Sequence, residues 1–189
     1  MKRILGVFVL MLTLSIASEA QSLDGLLDKA LSLQEKGDNK GLGDALGMIS
    51  KGVEKEVGES GGDFKSGLLS QVSGLNKMIP LASKGMVKAG PLKKIINTIK
   101  LMLGANRLGN MLGGGGSLIG KASALKSSLS LMKGGSSVLG SNSGKLDGLI
   151  DGAMGNVSKL SGGGIAAKAA DKALPGQLGG ILSMAKGIL

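Results

Sequence analysis

Beyond residue 20 this chain carries one aromatic side chain, Phe64, and one threonine, Thr98. Strands draw on β-branched and aromatic residues, so a chain this poor in both argues against a sheet. The material left for a core is Leu, Ile, Ala and Met, and it recurs at helical rather than alternating spacing. The fold class expected is all-α: a bundle of amphipathic, Gly-rich helices joined by flexible Gly/Ser linkers.

Glycine sets the second constraint. There are 35 in 189 residues, and each one inside a helix costs roughly 0.5–1 kcal/mol relative to Ala. Such helices are weak in isolation and depend on tertiary packing. Gly43 with Gly47, and Gly148 with Gly152 and Gly155, fall at helical spacing. That spacing has two readings: close approach of two helix backbones, or a solvent face that tolerates flexibility.

The best-delimited helix is 91–112. Leu92, Ile95, Ile96, Ile99, Met102 and Leu103 gather on one side, and Lys93, Lys94, Asn97, Lys100 and Arg107 take the opposite, exposed side. Pro91 suits a first helical position and the glycines of 113–116 end the helix. Ahead of it, Ser22 caps a helix over 23–36 that Gly37 stops. Asp38 caps a second with the stripe Leu42, Ala45, Leu46, Ile49 and Val53. Asp63 caps a third, with Phe64, Leu68, Val72, Leu75 and Ile79, that Pro80 closes. After it, Leu118, Ala122, Leu125, Leu129 and Met132 form a stripe, 134–144 reads as a linker, and Leu146, Leu149, Ile150, Ala153, Val157 and Leu160 form another. An Ala-rich helix over 165–173 is parted by Pro175 from a terminal helix bearing Leu178, Ile181, Leu182, Ala185, Ile188 and Leu189.

Lys2 and Arg3, an apolar run over 4–16 and Ser18-Glu19-Ala20 have the order of a secretory leader. The run is well short of the roughly 20 residues that span a bilayer. Residues 1–20 are therefore expected to be a cleaved signal peptide, with the mature chain starting at Gln21 and exported to the periplasm or secreted. Residues 21–189 form one helical domain in three parts: acidic (21–63), basic (64–146) and Gly/Ala-rich (147–189).

With no His and no Cys, the usual zinc sites, the Ser-His-Asp and Cys-His nucleophile systems, and disulfides are all excluded. Ser-x-x-Lys occurs at Ser123 with Lys126, Ser130 with Lys133 and Ser183 with Lys186, but without the Ser-Asp-Asn and Lys-Thr-Gly companions of penicillin-recognising enzymes. Over 115–122 a phosphate-loop pattern fails at Ala122, where the magnesium-binding hydroxyl belongs. The carboxylates cluster over 24–63 with no aromatic surface to stack a sugar. Asn156-Val157-Ser158 is a glycosylation sequon with meaning only in a eukaryotic secretory route. The expectation is a protein without catalytic residues, cofactor or metal.

Charge is the remaining signal. Residues 21–63 hold nine acidic and five basic side chains, whereas 64–146 hold twelve basic and no acidic one. Such a stretch attracts anionic surfaces or polymers. The residues expected to bind them are Lys93, Lys94, Lys100 and Arg107, and the partners are lipid head groups or anionic envelope polymers. Self-association is open, and no specific nucleic acid is expected. Two alternatives stand beside this reading. One is a carrier of apolar ligands, suggested by Met78, Met102, Met111 and Met132. The other is a membrane-permeabilising protein whose cationic helix leaves the fold.

Overall fold

The structure is a computed structural model that describes residues 22–188. The expected leader and the start at Gln21 lie outside the described residues, as does Leu189. Within them the chain is all-α, with helices α1 (Leu23–Glu35), α2 (Asn39–Ser60), α3 (Lys65–Ala82), α4 (Ala89–Gly113), α5 (Ala122–Gly135), α6 (Ser143–Leu160) and α7 (Gly164–Ile188). A 3-10 segment, Ser136–Asn142, joins α5 to α6.

Local chemistry explains the first two helices. The Ser22 hydroxyl accepts from the Gly25 N–H at 3.3 Å and the Asp38 carboxylate from the Gly41 N–H at 2.9 Å, each satisfying a donor that the first turn leaves unpaired. Gly37 turns the chain between them at φ +72, a conformation open to glycine at no steric cost. The predicted stripe of α2, from Leu42 to Val53, is buried throughout.

Three expectations fail where packing overrides a local breaker. Asp63 does not cap α3; it pairs with Lys186 of α7, and Phe64 stands at the cap position without a side-chain bond. Pro80 lies inside α3, in its last turn, where it removes one hydrogen bond but leaves the buried Ala82 beyond it in place. Pro175 lies inside α7, which is one helix and not two. Ala167, Ala170, Leu174, Leu178, Ile181 and Ala185 are buried on both sides of that proline, so a single stripe holds the two halves in line.

The expected linker over 134–144 is structured as well. Gly134 and Gly135 finish α5, and the 3-10 segment buries Ser136 and Leu139, leaving helical geometry only at Gly140 (φ 56).

α4 is the centre of the molecule. It packs against α1, α3, α5, α7 and the 3-10 segment, most extensively against α5, while α2 pairs with α3 and α6 with α7. Every residue from Ile96 to Asn106 is buried. The expected exposed face of this helix is therefore absent along its middle, because neighbours cover it on all sides. Two glycines let α5 come this close. A Cβ at Gly104 would stand 2.5 Å from the Ser128 carbonyl oxygen and 2.6 Å from Met132 Cγ, and one at Gly135 would stand 2.6 Å from the Leu101 nitrogen. The glycines singled out by spacing behave otherwise: Gly47, Gly148, Gly152 and Gly155 have nothing within 4 Å of a built Cβ, and Gly43 makes ordinary contact with Ala82. Backbone approach is real here, but at Gly104 and Gly135.

Candidate functional site

The four basic residues expected to form one anionic-surface site do not lie together on one exposed face. Lys93 and Lys94, in the first turns of α4, are exposed. Lys100 is buried, with its stem beside Gly134 and its ammonium paired with Asp28 of α1. Arg107 is half-buried, with each of its three guanidinium nitrogens donating to a carboxylate. Its Nε and Nη2 donate to the two Glu56 oxygens of α2 at 2.6 and 2.8 Å, and Nη1 donates to the Asp24 oxygens of α1 at 2.8 and 3.1 Å. The Ser127 hydroxyl of α5 donates to Asp24 at 2.9 Å. Three helices thus meet at one guanidinium, with α5 joined through Asp24, and its planar fork suits two carboxylates at once. The hydrogen bond to Glu56 raises the Arg107 pKa most; burial opposes it, and the charges of Glu56 and Asp24 add to it.

A cleft of about 430 Å³ opens beside this cluster, lined by residues that include Arg107, Met111, Ala124 and Ser127. Its size falls within the range of small-ligand sites, yet its charged groups already satisfy one another. Two smaller clefts, of about 220 and 360 Å³, share Asp63, Phe64 and Lys186. The wall of the smaller one includes Asn106, whose Nδ2 donates to the Gly61 carbonyl at 2.9 Å and ties α4 to the turn between α2 and α3.

One run of free basic charge lies where α3 gives way to α4. Lys77, Lys84, Lys88, Lys93 and Lys94 are all exposed, and none has a carboxylate within ion-pair distance among the described residues. Gly90, Lys93, Lys94 and Asn97 line a pocket of about 270 Å³ with Ser137 and Val138 of the 3-10 segment. Asn97 is held in its wall by donating to the Ser137 hydroxyl at 2.9 Å. Among the described residues no side chain caps the α4 N-terminus, and no acidic residue sits in its first turn. Two exposed lysines and the first turns of a helix, the positive end of its macrodipole, therefore border one small, open concavity.

Lys93 and Lys94 are exposed, as the sequence reading had them, but that reading missed Asp24, Asp28, Glu56 and Ser127 around the other two. A signal for them was present. An acidic 21–63 followed by an acid-free 64–146 is the pattern of two segments neutralising each other as readily as that of an outward field. The chain matches no family model, no curated protein and no solved structure.

Proposed function

We propose that this is an exported, non-enzymatic interaction protein that binds anionic surfaces, lipid head groups or envelope polymers, through the lysines at the α3–α4 corner. The observation that carries the reading is the division among its basic residues. Lys100 and Arg107 are taken up by Asp28, Asp24 and Glu56, while Lys93 and Lys94 line an open pocket with no acidic neighbour. Unpaired lysines grouped on one corner attract polyanions without needing a shaped site, and that attraction weakens as salt rises. Export is supported by the order of charged, apolar and small residues over 1–20. The permeabilising alternative has less support, since α4 would have to leave a core in which Ile96 to Asn106 are all buried.

The test compares two variants by co-sedimentation with vesicles containing phosphatidylglycerol and by titration with dextran sulfate. Lys93→Gln with Lys94→Gln is expected to weaken binding by about fivefold per lysine and to flatten its salt dependence. Lys100→Gln is expected to change binding less than about twofold, its charge being already matched by Asp28. Equal losses from both, or no loss from the Lys93/Lys94 pair, would remove the corner as the binding site.

A further inference from the structure

The turn between α3 and α4 is built in a way that leaves an apolar pair outside the core. α3 closes with the Met86 N–H donating to the Leu81 carbonyl and the Gly85 N–H donating to the Ala82 carbonyl, each at 2.9 Å, with Gly85 at φ +67. This is the Schellman arrangement, which draws the side chains at its two ends toward each other. Those ends are Leu81 and Met86, and they remain 39% and 61% exposed. Val87, the next residue, packs against the core, so the loop is anchored with Met86 outside. Behind it, a Cβ at Gly85 would stand 2.9 Å from the Asn39 Nδ2 of α2, so the turn rests on α2's first turn. The charges there are Asp38, whose carboxylate caps Gly41, and Lys40. Exposed lysines flank this apolar pair along the chain: Lys77 in α3, Lys84 and Lys88 in the turn, and Lys93 and Lys94 in the first turns of α4.

We propose that this corner docks on anionic lipid bilayers, with Met86 and Leu81 entering the interfacial layer and the flanking lysines meeting the head-group phosphates. The proposal rests on the anionic-surface reading and narrows it to lipid. Lysines flanking an apolar tip combine two weak signals, attraction to an anionic leaflet and burial of a small apolar area, which together hold a protein on a membrane where either alone is marginal. Lysine suits such a flank because its stem can lie along the apolar boundary while the ammonium stays among phosphates. A soluble polyanion satisfies the lysines equally well but has no apolar interior for Met86. The methionine therefore separates the two occupants.

The chain contains no Trp or Tyr, so Met86→Trp supplies a single indole fluorophore at the tip, and the exposure of residue 86 leaves the fold intact, which far-UV circular dichroism checks. With mixed phosphatidylcholine and phosphatidylglycerol vesicles its emission should shift to the blue and be quenched by acyl-brominated lipid. Met86→Ser should weaken vesicle binding by about tenfold and leave dextran sulfate binding within about twofold, since only electrostatics act there. Replacing Lys84, Lys88, Lys93 and Lys94 with Gln should abolish both. Unshifted indole emission from vesicle-bound Met86→Trp protein, or wild-type vesicle affinity in Met86→Ser, would overturn insertion, and the lysine variant's loss would still uphold the anionic reading. Binding to dextran sulfate but not to vesicles would replace lipid with polymer as the partner. Unchanged binding in the lysine variant would overturn both.

Discussion

At Gly104 a single added methyl would run into the Ser128 carbonyl oxygen and Met132, and at Gly135 into the α4 backbone. Backbone cannot rotate away as a side chain can, so these two positions set how near α5 lies to α4. Gly104→Ala or Gly135→Ala is expected to lower stability by roughly 1–3 kcal/mol through overpacking. Gly148→Ala and Gly152→Ala, in α6 with open space around them, should raise it by roughly 0.5–1 kcal/mol through higher helix propensity. Urea melts of the four variants decide this, and effects of the same sign at all four would remove the α4–α5 contact as a constraint. Gly62 is a third such position: its φ is +103 and the Asn106 Oδ1 occupies the space of a Cβ, so both strain and contact oppose substitution.

Among the elements, α4 decides most, because it is a cationic helix in the middle of the protein. Charges taken into a core must be matched there, and α1 and α2 supply Asp28, Asp24 and Glu56 for that purpose. Removing one partner leaves the others uncompensated. Arg107 and both its carboxylates are about a quarter exposed, which places the pair between a surface bridge and a fully buried one. Arg107→Met is therefore expected to cost about 2 kcal/mol, with part of the loss recovered when Glu56→Gln is added, as a double-mutant cycle measures. Lys100→Gln should cost less than about 1 kcal/mol, because Asp28 is 73% exposed and remains hydrated without its partner. Arg107→Met that melts like wild type would mean that the network contributes nothing to holding α1 and α2 against α4.

For the whole molecule, all seven helices contribute buried residues to one apolar cluster. No described helix is long and apolar enough to cross a membrane. A continuous core predicts one cooperative thermal transition and a helical far-UV spectrum in plain buffer. Two transitions, or helix that forms only with anionic lipid, would point instead to parts that fold separately or to the permeabilising reading. Docking by a corner, as opposed to unfolding onto a membrane, further predicts that the spectrum keeps its shape when vesicles are added, with Met86 and the lysines as the contact.

The helical class, the caps at Ser22 and Asp38, the turn at Gly37, the buried stripe of α2 and, apart from the exposed Leu149, that of α6 were legible in the sequence. They depend on residues within a few positions of one another, where backbone geometry dictates which side chains share a face. Lys93 and Lys94 are exposed where the spacing of α4 put them, but the same spacing put Lys100 outside and it is buried. What only the tertiary structure decided is what covers the rest of α4. Lys100 meets a carboxylate 72 positions away and Arg107 one 83 positions away, and no local pattern ranks such partners. Pro80 and Pro175 read as stops because each removes a hydrogen bond, yet both helices continue through them, since apolar burial on either side outweighs one missing bond. Gly104 and Gly135 look like the other glycines in sequence; they differ only because another backbone lies against them.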